Sequence, residues 1–314
     1  MRVYVTRPVP PTVRGALEAS FEVSFHPSEQ PPAREELLRG AAGAAGLVTT
    51  LGDRVDAGVL DAAGPGLRVL ANYAAGHDNV DLEAANARGV LVTTTPDVLT
   101  HATAEHTMAL QLALVRRVAE GDRMIRRADA WLWAPTFMVG SGLAGRTLGI
   151  VGLGRIGSCV ARLAEAFGMR VVHTSRAGGL PLAELLREAD VVSLHCPLTP
   201  ETFHLIDEAA LGLMRPEAVL VNTSRGAVVD EAALAHALRD GRLAGAALDV
   251  FEHEPAVHPD LLGLENVVLT PHLGSATAEA REAMGMLCVE ALCTVLLEGR
   301  LPRHALNSDA CAPA

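Results

Sequence analysis

Three charged residues in the second half of the chain, Arg225, Glu254 and His272, have the side chains that reduction of a 2-oxo acid requires. A guanidinium can bind a carboxylate and polarise the adjacent carbonyl group. An imidazolium can donate a proton to the carbonyl oxygen, and a neighbouring carboxylate favours that protonated form. The hydride must come from a bound cofactor. The trio therefore predicts a reductase in which Arg225 binds the substrate, His272 is the general acid and Glu254 orients it.

The positions of the three residues favour the same interpretation. Arg225 follows AVLVNTS, Glu254 comes shortly after GAALDV, and His272 follows NVVLT, and each of these runs is typical of a buried strand. Ligands of open parallel sheets bind beyond the carboxyl ends of the strands, so we expect the three side chains to face one crevice. Each residue alone has an ordinary alternative, as a structural histidine, a surface ion-pair arginine or a solvated glutamate.

A glycine-rich turn predicts the cofactor site. The strand TLGIV runs directly into GLGRIG at 152–157, and the helical pattern that follows ends at Gly168. The three motif glycines permit a tight turn, close approach of a pyrophosphate and close helix packing, and the helix N-terminus can bind phosphates. The residues predicted to contact a dinucleotide are Gly152, Leu153, Gly154, Arg155, Ile156 and Gly157. The core-facing side of the helix is predicted to be Ile156, Val160, Leu163, Ala164 and Phe167.

The end of the next strand, VVHTSR, indicates which dinucleotide is preferred. An NAD-specific site would have Asp or Glu there to bind the ribose 2′-hydroxyl. This chain has Ser175 followed by Arg176, and a hydroxyl and a guanidinium suit a 2′-phosphate. The sequence thus predicts a preference for NADPH, with NAD as the other cofactor that could bind. The alternative is that Arg176 is a solvated loop residue.

Composition excludes several other classes of function. A net charge of −11 argues against a nucleic-acid partner, which needs a cationic surface. Hydrophobic residues make up 49% of the chain but occur in runs too short to span a membrane. The opening MRVYVTRPVP is typical of a strand rather than of a signal peptide, so we expect a soluble cytoplasmic protein.

Neither a metal site nor a disulfide framework is predicted. The histidines of HATAEH at 101–106 lack metal-ligand spacing such as HExxH. The cysteines form no CxxC pair and are predicted to be reduced, mostly buried thiols. They are Cys159, Cys196, Cys288, Cys293 and Cys311.

Two series of alternating strands and helices predict two domains, each with a parallel sheet. The first series is RVYVT, EVSFH, GLVTT, LRVLANYA and VLVTTT, and it ends at Thr95–Pro96. The second series is TLGIV, MRVVHTS, VVSLH, AVLVNTS, GAALDV and NVVLT. A last helix from Ser275 to Glu298, with Ser275 or Thr277 as its N-cap, is expected to lead back to the first domain.

Between the two series, residues 100–128 are predicted to form one long helix with Met108, Leu112 and Val115 on its apolar side. Such a helix could bridge the domains or form a dimer. The irregular segment after it contains both tryptophans of the chain, Trp131 and Trp133. Exposed tryptophans often anchor interfaces. Ordinary packing of these two side chains is the alternative that we favour.

Four motifs, GLGRIG, NTSRGAVVD, LDVFEHEP and TPHLGSAT, occur along the chain in this order. With them the chain resembles, over nearly its whole length, the D-isomer-specific 2-hydroxyacid dehydrogenases, and among these the glyoxylate and hydroxypyruvate reductases. The resemblance implies an α/β fold of two Rossmann-like or flavodoxin-like domains with parallel sheets and a cleft between them. It implies a substrate-binding domain at 1–98 plus 285–314, a dinucleotide-binding domain at 99–284, and a homodimer.

The resemblance also implies roles for individual residues. The trio matches the family's catalytic arginine, glutamate and histidine, and Asp249 matches an acidic residue that faces the nicotinamide carboxamide. Backbone N–H groups of Ala75 and Gly76 would bind the substrate carboxylate, with Leu51 lining the pocket. Further cofactor contacts would come from Thr103, Pro197, Thr202, Thr223, Ser224 and Gly274.

One segment departs from the family pattern. The stretch between Arg176 and PLAELLREAD is shorter than usual, which predicts the loss of a small helix and an edge strand and a more open adenine end. Two further activities stay open beside glyoxylate or hydroxypyruvate reduction. One is turnover of another D-2-hydroxy acid, such as 3-phosphoglycerate or a bulkier acid. The other is dinucleotide sensing, as in the C-terminal-binding corepressors.

Overall fold

The computed structural model describes residues 1–310. Its internal contacts divide the chain into two units, Met1–Leu99 with the residues from Ala276 onward, and Thr100–Ser275. From the sequence, the chain was expected to return to the first domain later, at residue 285. The difference arises because the last long helix begins after Thr277 and packs on the first unit along its length.

The sequence folds into short strands and helices that alternate along the chain. The strands are β1 (Arg2–Val5), β2 (Glu22–Phe25), β3 (Gly46–Thr49), β4 (Val69–Asn72), β5 (Leu91–Thr93), β6 (Thr147–Val151), β7 (Arg170–Ser175), β8 (Gly178–Gly179), β9 (Val191–Leu194), β10 (Val219–Asn222), β11 (Gly245–Leu248) and β12 (Val267–Leu269). The α-helices are α1 (Pro11–Ser20), α2 (Arg34–Ala41), α3 (Ala57–Ala63), α4 (Leu82–Ala87), α5 (Thr100–Val115), α6 (Val118–Arg126), α7 (Arg155–Ala166), α8 (Leu182–Glu188), α9 (Glu208–Leu211), α10 (Glu231–Arg239), α11 (Pro259–Leu262) and α12 (Ala278–Leu296).

The first unit is a five-stranded sheet, parallel as predicted, and its strand order is β2-β1-β3-β4-β5. β3 and β4 are buried along their whole length, as expected for strands covered on both faces. Of the two candidate N-caps of α12, Thr277 is the one used, and its hydroxyl accepts a hydrogen bond from the Ala280 N–H. A side chain at Gly285 would overlap Val13 and Tyr73, so this glycine lets α12 lie close against the first unit.

The second unit is a seven-stranded sheet in the order β12-β11-β10-β9-β6-β7-β8. The six predicted strands are confirmed and are parallel. The prediction that the short segment after Arg176 lacks an edge strand is wrong, because β8 pairs antiparallel with β7. Gly178 and Gly179 have φ values of +133° and +106°, which favour glycine and permit this tight return.

The long helix predicted at 100–128 is two helices. α5 ends at Val115, whose carbonyl accepts a hydrogen bond from the Ser141 N–H at 2.8 Å. Arg117 then adopts a left-handed conformation with φ of +55°, and α6 starts at Val118. The helix therefore breaks because a segment distant in sequence occupies its C-terminus. Met108 and Val115 are buried as predicted, whereas α6 has no buried residue.

Trp131 and Trp133 are 58% and 79% exposed, so the favoured expectation that they pack in the core is wrong for the single chain. On α7, Val160 and Ala164 are buried as predicted, but Phe167 is 45% exposed. Phe167 is the C-cap of α7 and no longer follows the helical face that packs on the sheet. In residues 1–310, no helix is long and apolar enough to cross a membrane.

The described cysteines are free thiols. Cys159, Cys196 and Cys288 are buried and Cys293 is half-buried, as the sequence predicted, and Cys311 lies outside the described residues. Burial raises the pKa of Cys196 to about 11, so this thiol is protonated at neutral pH. Across the described part of the chain, no three His, Cys, Asp or Glu side chains are grouped so that they could hold a metal ion.

Candidate active site

Glu254 and His272 form a direct pair in the second unit. Nδ1 of His272 lies 2.9 Å from Oε2 of Glu254, and the two side chains are 36% (Glu254) and 30% (His272) exposed. Because a carboxylate can only accept hydrogen bonds, Nδ1 carries a proton, and Nε2 is the atom that can give a proton to a ligand. The other oxygen of Glu254 accepts a hydrogen bond from the Phe251 N–H at 3.0 Å. The arrangement is compatible with the predicted roles of His272 as a general acid and of Glu254 as the carboxylate that orients it.

The backbone of His272 is strained and is held in place by Asp249. The φ of His272 is +54°, a left-handed conformation that non-glycine residues rarely adopt. The His272 N–H donates to the Asp249 carbonyl at 2.8 Å. The Asp249 carboxylate accepts hydrogen bonds from the N–H groups of Leu273 and Gly274, both at 2.7 Å. Asp249 thus fixes the turn on which the imidazole is carried.

Asp249 is itself buried and fully supported by side chains. Its Oδ1 accepts a hydrogen bond from the Thr270 hydroxyl at 2.6 Å and lies 3.1 Å from Nε2 of His106. Burial raises the pKa of Asp249, but the hydrogen bonds with His106, Thr270 and a backbone N–H outweigh this and hold the pKa below its usual range. The carboxylate is therefore ionised at neutral pH.

Three of the residues predicted to contact the cofactor, Asp249, Gly274 and Thr103, lie close together. A Cβ atom built on Gly274 would lie 3.2 Å from Oδ2 of Asp249 and 3.4 Å from Cγ2 of Thr103. A larger residue at 274 would press on both neighbours, so glycine keeps this part of the turn close to the N-terminal part of α5. The structure thus brings together Asp249, Gly274 and Thr103, which the family resemblance had named separately.

Glu231, the first residue of α10, holds the loop that carries Glu254. The Glu231 carboxylate is 4% exposed and accepts hydrogen bonds from the N–H groups of Glu252, at 2.5 Å, and His258, at 3.3 Å. Burial raises the pKa of Glu231 despite these two contacts. A second support comes from His204, whose Nε2 lies 2.8 Å from Oε1 of Glu252. Both ends of the loop are therefore anchored.

Arg225 lies in the loop after β10, which is shaped by Asn222. The Asn222 side chain is buried, donates to the Arg225 carbonyl at 2.9 Å and accepts from the Ser224 hydroxyl at 2.8 Å. A Cβ atom on Gly226 would overlap the Phe251 backbone. Glycine at 226 therefore lets the Arg225 loop lie directly against the start of the loop that carries Glu254. The guanidinium donates to the Ser224 carbonyl at 2.7 Å.

The glycine-rich turn has the geometry expected of a dinucleotide site. Gly152 has a φ of +96°, and a side chain there would overlap the His195–Cys196 backbone. A side chain at Gly157 would overlap the Gly152 carbonyl, so α7 packs close to β6. A Cβ atom on Gly154 would meet nothing within 4 Å, and this open side leaves room for a pyrophosphate at the N-terminus of α7. The residues present therefore fit a dinucleotide.

The other predicted cofactor residues form local contacts. The Thr223 hydroxyl lies 2.8 Å from the Thr107 hydroxyl of α5, and the Thr202 hydroxyl donates to the Pro197 carbonyl at 2.7 Å. At the sheet edge, the Ser175 hydroxyl donates to the Gly178 carbonyl at 3.1 Å. This hydrogen bond closes the β7–β8 turn, so Ser175 helps to fix the turn in which Arg176 lies.

In the first unit, Leu51, Ala75 and Gly76 lie in the loops after β3 and β4. Two buried or half-buried amides fix those loops. Asn72 donates to the Gly76 carbonyl, and Asn79 donates to the Thr50 carbonyl, each at 3.0 Å. The two amide groups also bond each other. The predicted carboxylate-binding loop is therefore held by side chains within its own unit.

The supporting residues were the part of the site that sequence reasoning missed. They are His106, Thr107, Glu231, Asn222, Asn72 and Asn79. His106 was considered only as a metal ligand and was set aside on its spacing. Asn222 lies inside the motif NTSRG, directly after an apolar run. A polar residue at the last position of a buried strand is the signal that could have indicated its role.

Comparison with known proteins places the chain among its relatives. Residues 108–274 match the family model of the D-isomer specific 2-hydroxyacid dehydrogenase, NAD binding domain. The chain is 46% identical over 324 aligned positions to a glyoxylate reductase of Pyrococcus furiosus, with 98% of this chain and 96% of that protein covered.

Solved structures give the same result. A protein from Thermus thermophilus is 50% identical, with a TM-score of 0.92 and coverage of 98% of this chain and 100% of that one. The NADPH-dependent glyoxylate/hydroxypyruvate reductase of Sinorhizobium meliloti, solved with NADP and malonate, is 34% identical, with a TM-score of 0.82 and coverage of 98% and 96%. The chain is an oxidoreductase that uses a nicotinamide dinucleotide, and it belongs to the D-isomer-specific 2-hydroxyacid dehydrogenases.

Proposed function

We propose that the protein reduces glyoxylate or hydroxypyruvate to the corresponding 2-hydroxy acid. The observation that carries this proposal is the 2.9 Å contact between His272 and Glu254, on a turn pinned by the buried carboxylate of Asp249. An imidazole held in place by a carboxylate suits proton donation to a carbonyl oxygen. The names of the relatives, glyoxylate reductase and glyoxylate/hydroxypyruvate reductase, support the substrate class.

In the proposed mechanism each residue has one task. The guanidinium of Arg225 binds the substrate carboxylate and polarises the 2-oxo group. Nε2 of His272 donates the proton that the developing alkoxide requires, while Glu254 keeps the positive imidazolium oriented. The backbone N–H groups of Ala75 and Gly76 add donors for the carboxylate. The nicotinamide cofactor, when bound, supplies the hydride.

The proposed cofactor preference is NADPH over NADH. The support is Arg176, which follows β7 where a carboxylate would select the 2′-hydroxyl of NAD. The pKa of Glu201 is lowered mainly by a hydrogen bond with Thr199, and to a smaller degree by the charge of Arg176. Arg176 is exposed just after β7, where its guanidinium is accessible to a 2′-phosphate. The proposal names NADP as the preferred cofactor and NAD as a second one.

A panel of 2-oxo acids tested with NADPH and NADH examines the substrate and the cofactor together. We expect the highest kcat/KM for glyoxylate or hydroxypyruvate with NADPH, measured as the fall in nicotinamide absorbance. The His272→Asn variant is the control for contaminating reductases. A higher kcat/KM with NADH contradicts the cofactor proposal, and a clear preference for a branched 2-oxo acid contradicts the substrate. Dinucleotide binding without turnover of any acid would favour a sensor.

We further propose a homodimer in the cytoplasm. The support is a series of exposed apolar side chains on α6 and the segment after it, too extensive for an isolated soluble chain. They are Val118, Ile125, Trp131, Leu132, Trp133, Phe137 and Val139. Light scattering should give twice the mass of the chain, and a Trp133→Ser, Ile125→Ser variant should shift the mass toward the monomer. A wild-type protein that is monomeric at micromolar concentration refutes this.

The proposed location in the cytoplasm has separate support. The buried free thiols fit a reducing compartment, and cell fractionation checks the location.

A further inference from the structure

His195, directly after β9, has a buried nitrogen that neither the catalytic trio nor the glycine motif explains. Its Nε2 lies 2.8 Å from the Ser193 hydroxyl. Its Nδ1 is enclosed and has no hydrogen-bond partner in residues 1–310. A buried polar atom without a partner costs free energy, so native structures seldom keep one unless a ligand or water pairs with it. We therefore expect Nδ1 of His195 to pair with a ligand or a water molecule.

The sheet register places His195 among the cofactor-contacting positions. β9 pairs with β6 on one side and β10 on the other, with Leu194 opposite Val151 and Asn222. One residue further along, His195 lies between Gly152 of the glycine turn and Thr223. The His195 N–H donates to the Val151 carbonyl at 2.8 Å, so the pairing continues to this point.

The imidazole also lies on the correct face of the sheet. Side chains alternate along β9, and Val191 packs with the residues of α5 and α7, whereas Val192 packs on the opposite face. Ser193 and His195 therefore share the face on which α7 begins and on which Thr223 meets Thr107. The unpaired nitrogen is thus enclosed at the carboxyl edge of the sheet, beside the N-terminus of α7.

The ring acts as a neutral group. Burial lowers the pKa of His195 to about 4, so the imidazole is uncharged at neutral pH. A neutral ring has one N–H and one lone pair. If the Ser193 hydroxyl donates to Nε2, then Nδ1 carries the N–H and can donate to an oxygen. Such a donor suits a sugar hydroxyl or a phosphate oxygen.

We propose that Nδ1 of His195 donates a hydrogen bond to a hydroxyl or phosphate oxygen of the bound dinucleotide, in the part that NADH and NADPH share, and so positions the cofactor. The proposal rests on dinucleotide binding at the glycine turn and is independent of which 2-oxo acid is reduced. It differs from the role of Arg176, which concerns the 2′-phosphate alone.

Two substitutions separate the two ring nitrogens. Asparagine places a polar atom near the position of Nδ1, and glutamine places one near Nε2. His195→Gln should weaken the binding of both NADH and NADPH by about five- to tenfold, and His195→Asn by clearly less. Arg176→Ala should weaken NADPH alone. His236→Gln, at an exposed histidine of α10, is the matched control and should change neither constant. Dissociation constants come from the fluorescence of bound NADPH and NADH.

A spectroscopic readout on the wild-type protein covers the case in which a variant fails to fold. With ¹⁵N-labelled histidine, the Nδ1 resonance of His195 should shift on saturation with NADH, and the Nε2 resonance should shift less. Unchanged dissociation constants in His195→Gln, or an Nδ1 resonance that does not move, overturn the proposal and leave a structural role. A wild-type protein that binds dinucleotide normally but reduces no 2-oxo acid contradicts the proposed function and leaves this inference standing.

Discussion

Replacing His272 with asparagine is expected to lower kcat by about 10²- to 10⁴-fold, the range over which general acid catalysis contributes. Asparagine cannot donate a proton at a rate that matches the imidazolium. The dissociation constant of NADPH should stay within about twofold, because the turn is held by Asp249 through backbone N–H groups that the substitution keeps. Steady-state kinetics and NADPH fluorescence measure the two quantities separately.

The companion variant for this prediction is Glu254→Gln. It keeps the shape of the side chain and the contact with the Phe251 N–H, but it removes the negative charge beside Nδ1 of His272. We expect a smaller loss of kcat than in His272→Asn, because the imidazole remains in place but loses the carboxylate that orients it. If His272→Asn retains wild-type turnover, His272 is not the proton donor.

The parallel strands of both sheets were predictable because most of them are local runs of apolar residues bounded by polar ones, whereas β8, two glycines at the sheet edge, gave no such signal. The glycine turn was also predictable, because the φ of Gly152 and the close packing at Gly157 follow from the residue types alone. The end of α5 was not predictable in this way. Its cause is the Ser141 N–H on the Val115 carbonyl, a contact between segments that the sequence pattern does not relate.

The predicted catalytic pair and the residues that support it differ in the same respect. Glu254 and His272 each follow a strand, so their proximity could be inferred from the rule that strand ends meet at one edge. The role of Asp249 as the anchor of the His272 turn depends on hydrogen bonds with His106, which lies on helix α5, and with Thr270, which directly follows strand β12. A single polar residue in a sequence does not indicate how many partners it will have. Tertiary contacts determine this.

Replacing Arg225 with alanine is the other substitution with a large expected effect. A guanidinium that binds a carboxylate with two charge-assisted hydrogen bonds contributes about 1.5–3 kcal/mol for each. Their loss should lower kcat/KM for glyoxylate by about 10²-fold or more, mainly through a higher KM. The loop itself should keep its shape, because Asn222 and Gly226 fix its backbone without the Arg225 side chain. The dissociation constant of NADPH is therefore the internal control.

Arg225→Lys distinguishes charge from geometry at this position. Lysine keeps the positive charge but lacks the planar fork that matches a carboxylate, so kcat/KM should fall between the values for wild type and Arg225→Ala. Lysine that restores full activity would mean that charge alone binds the substrate. A KM for glyoxylate that stays at the wild-type value in Arg225→Ala would show that the carboxylate is bound elsewhere.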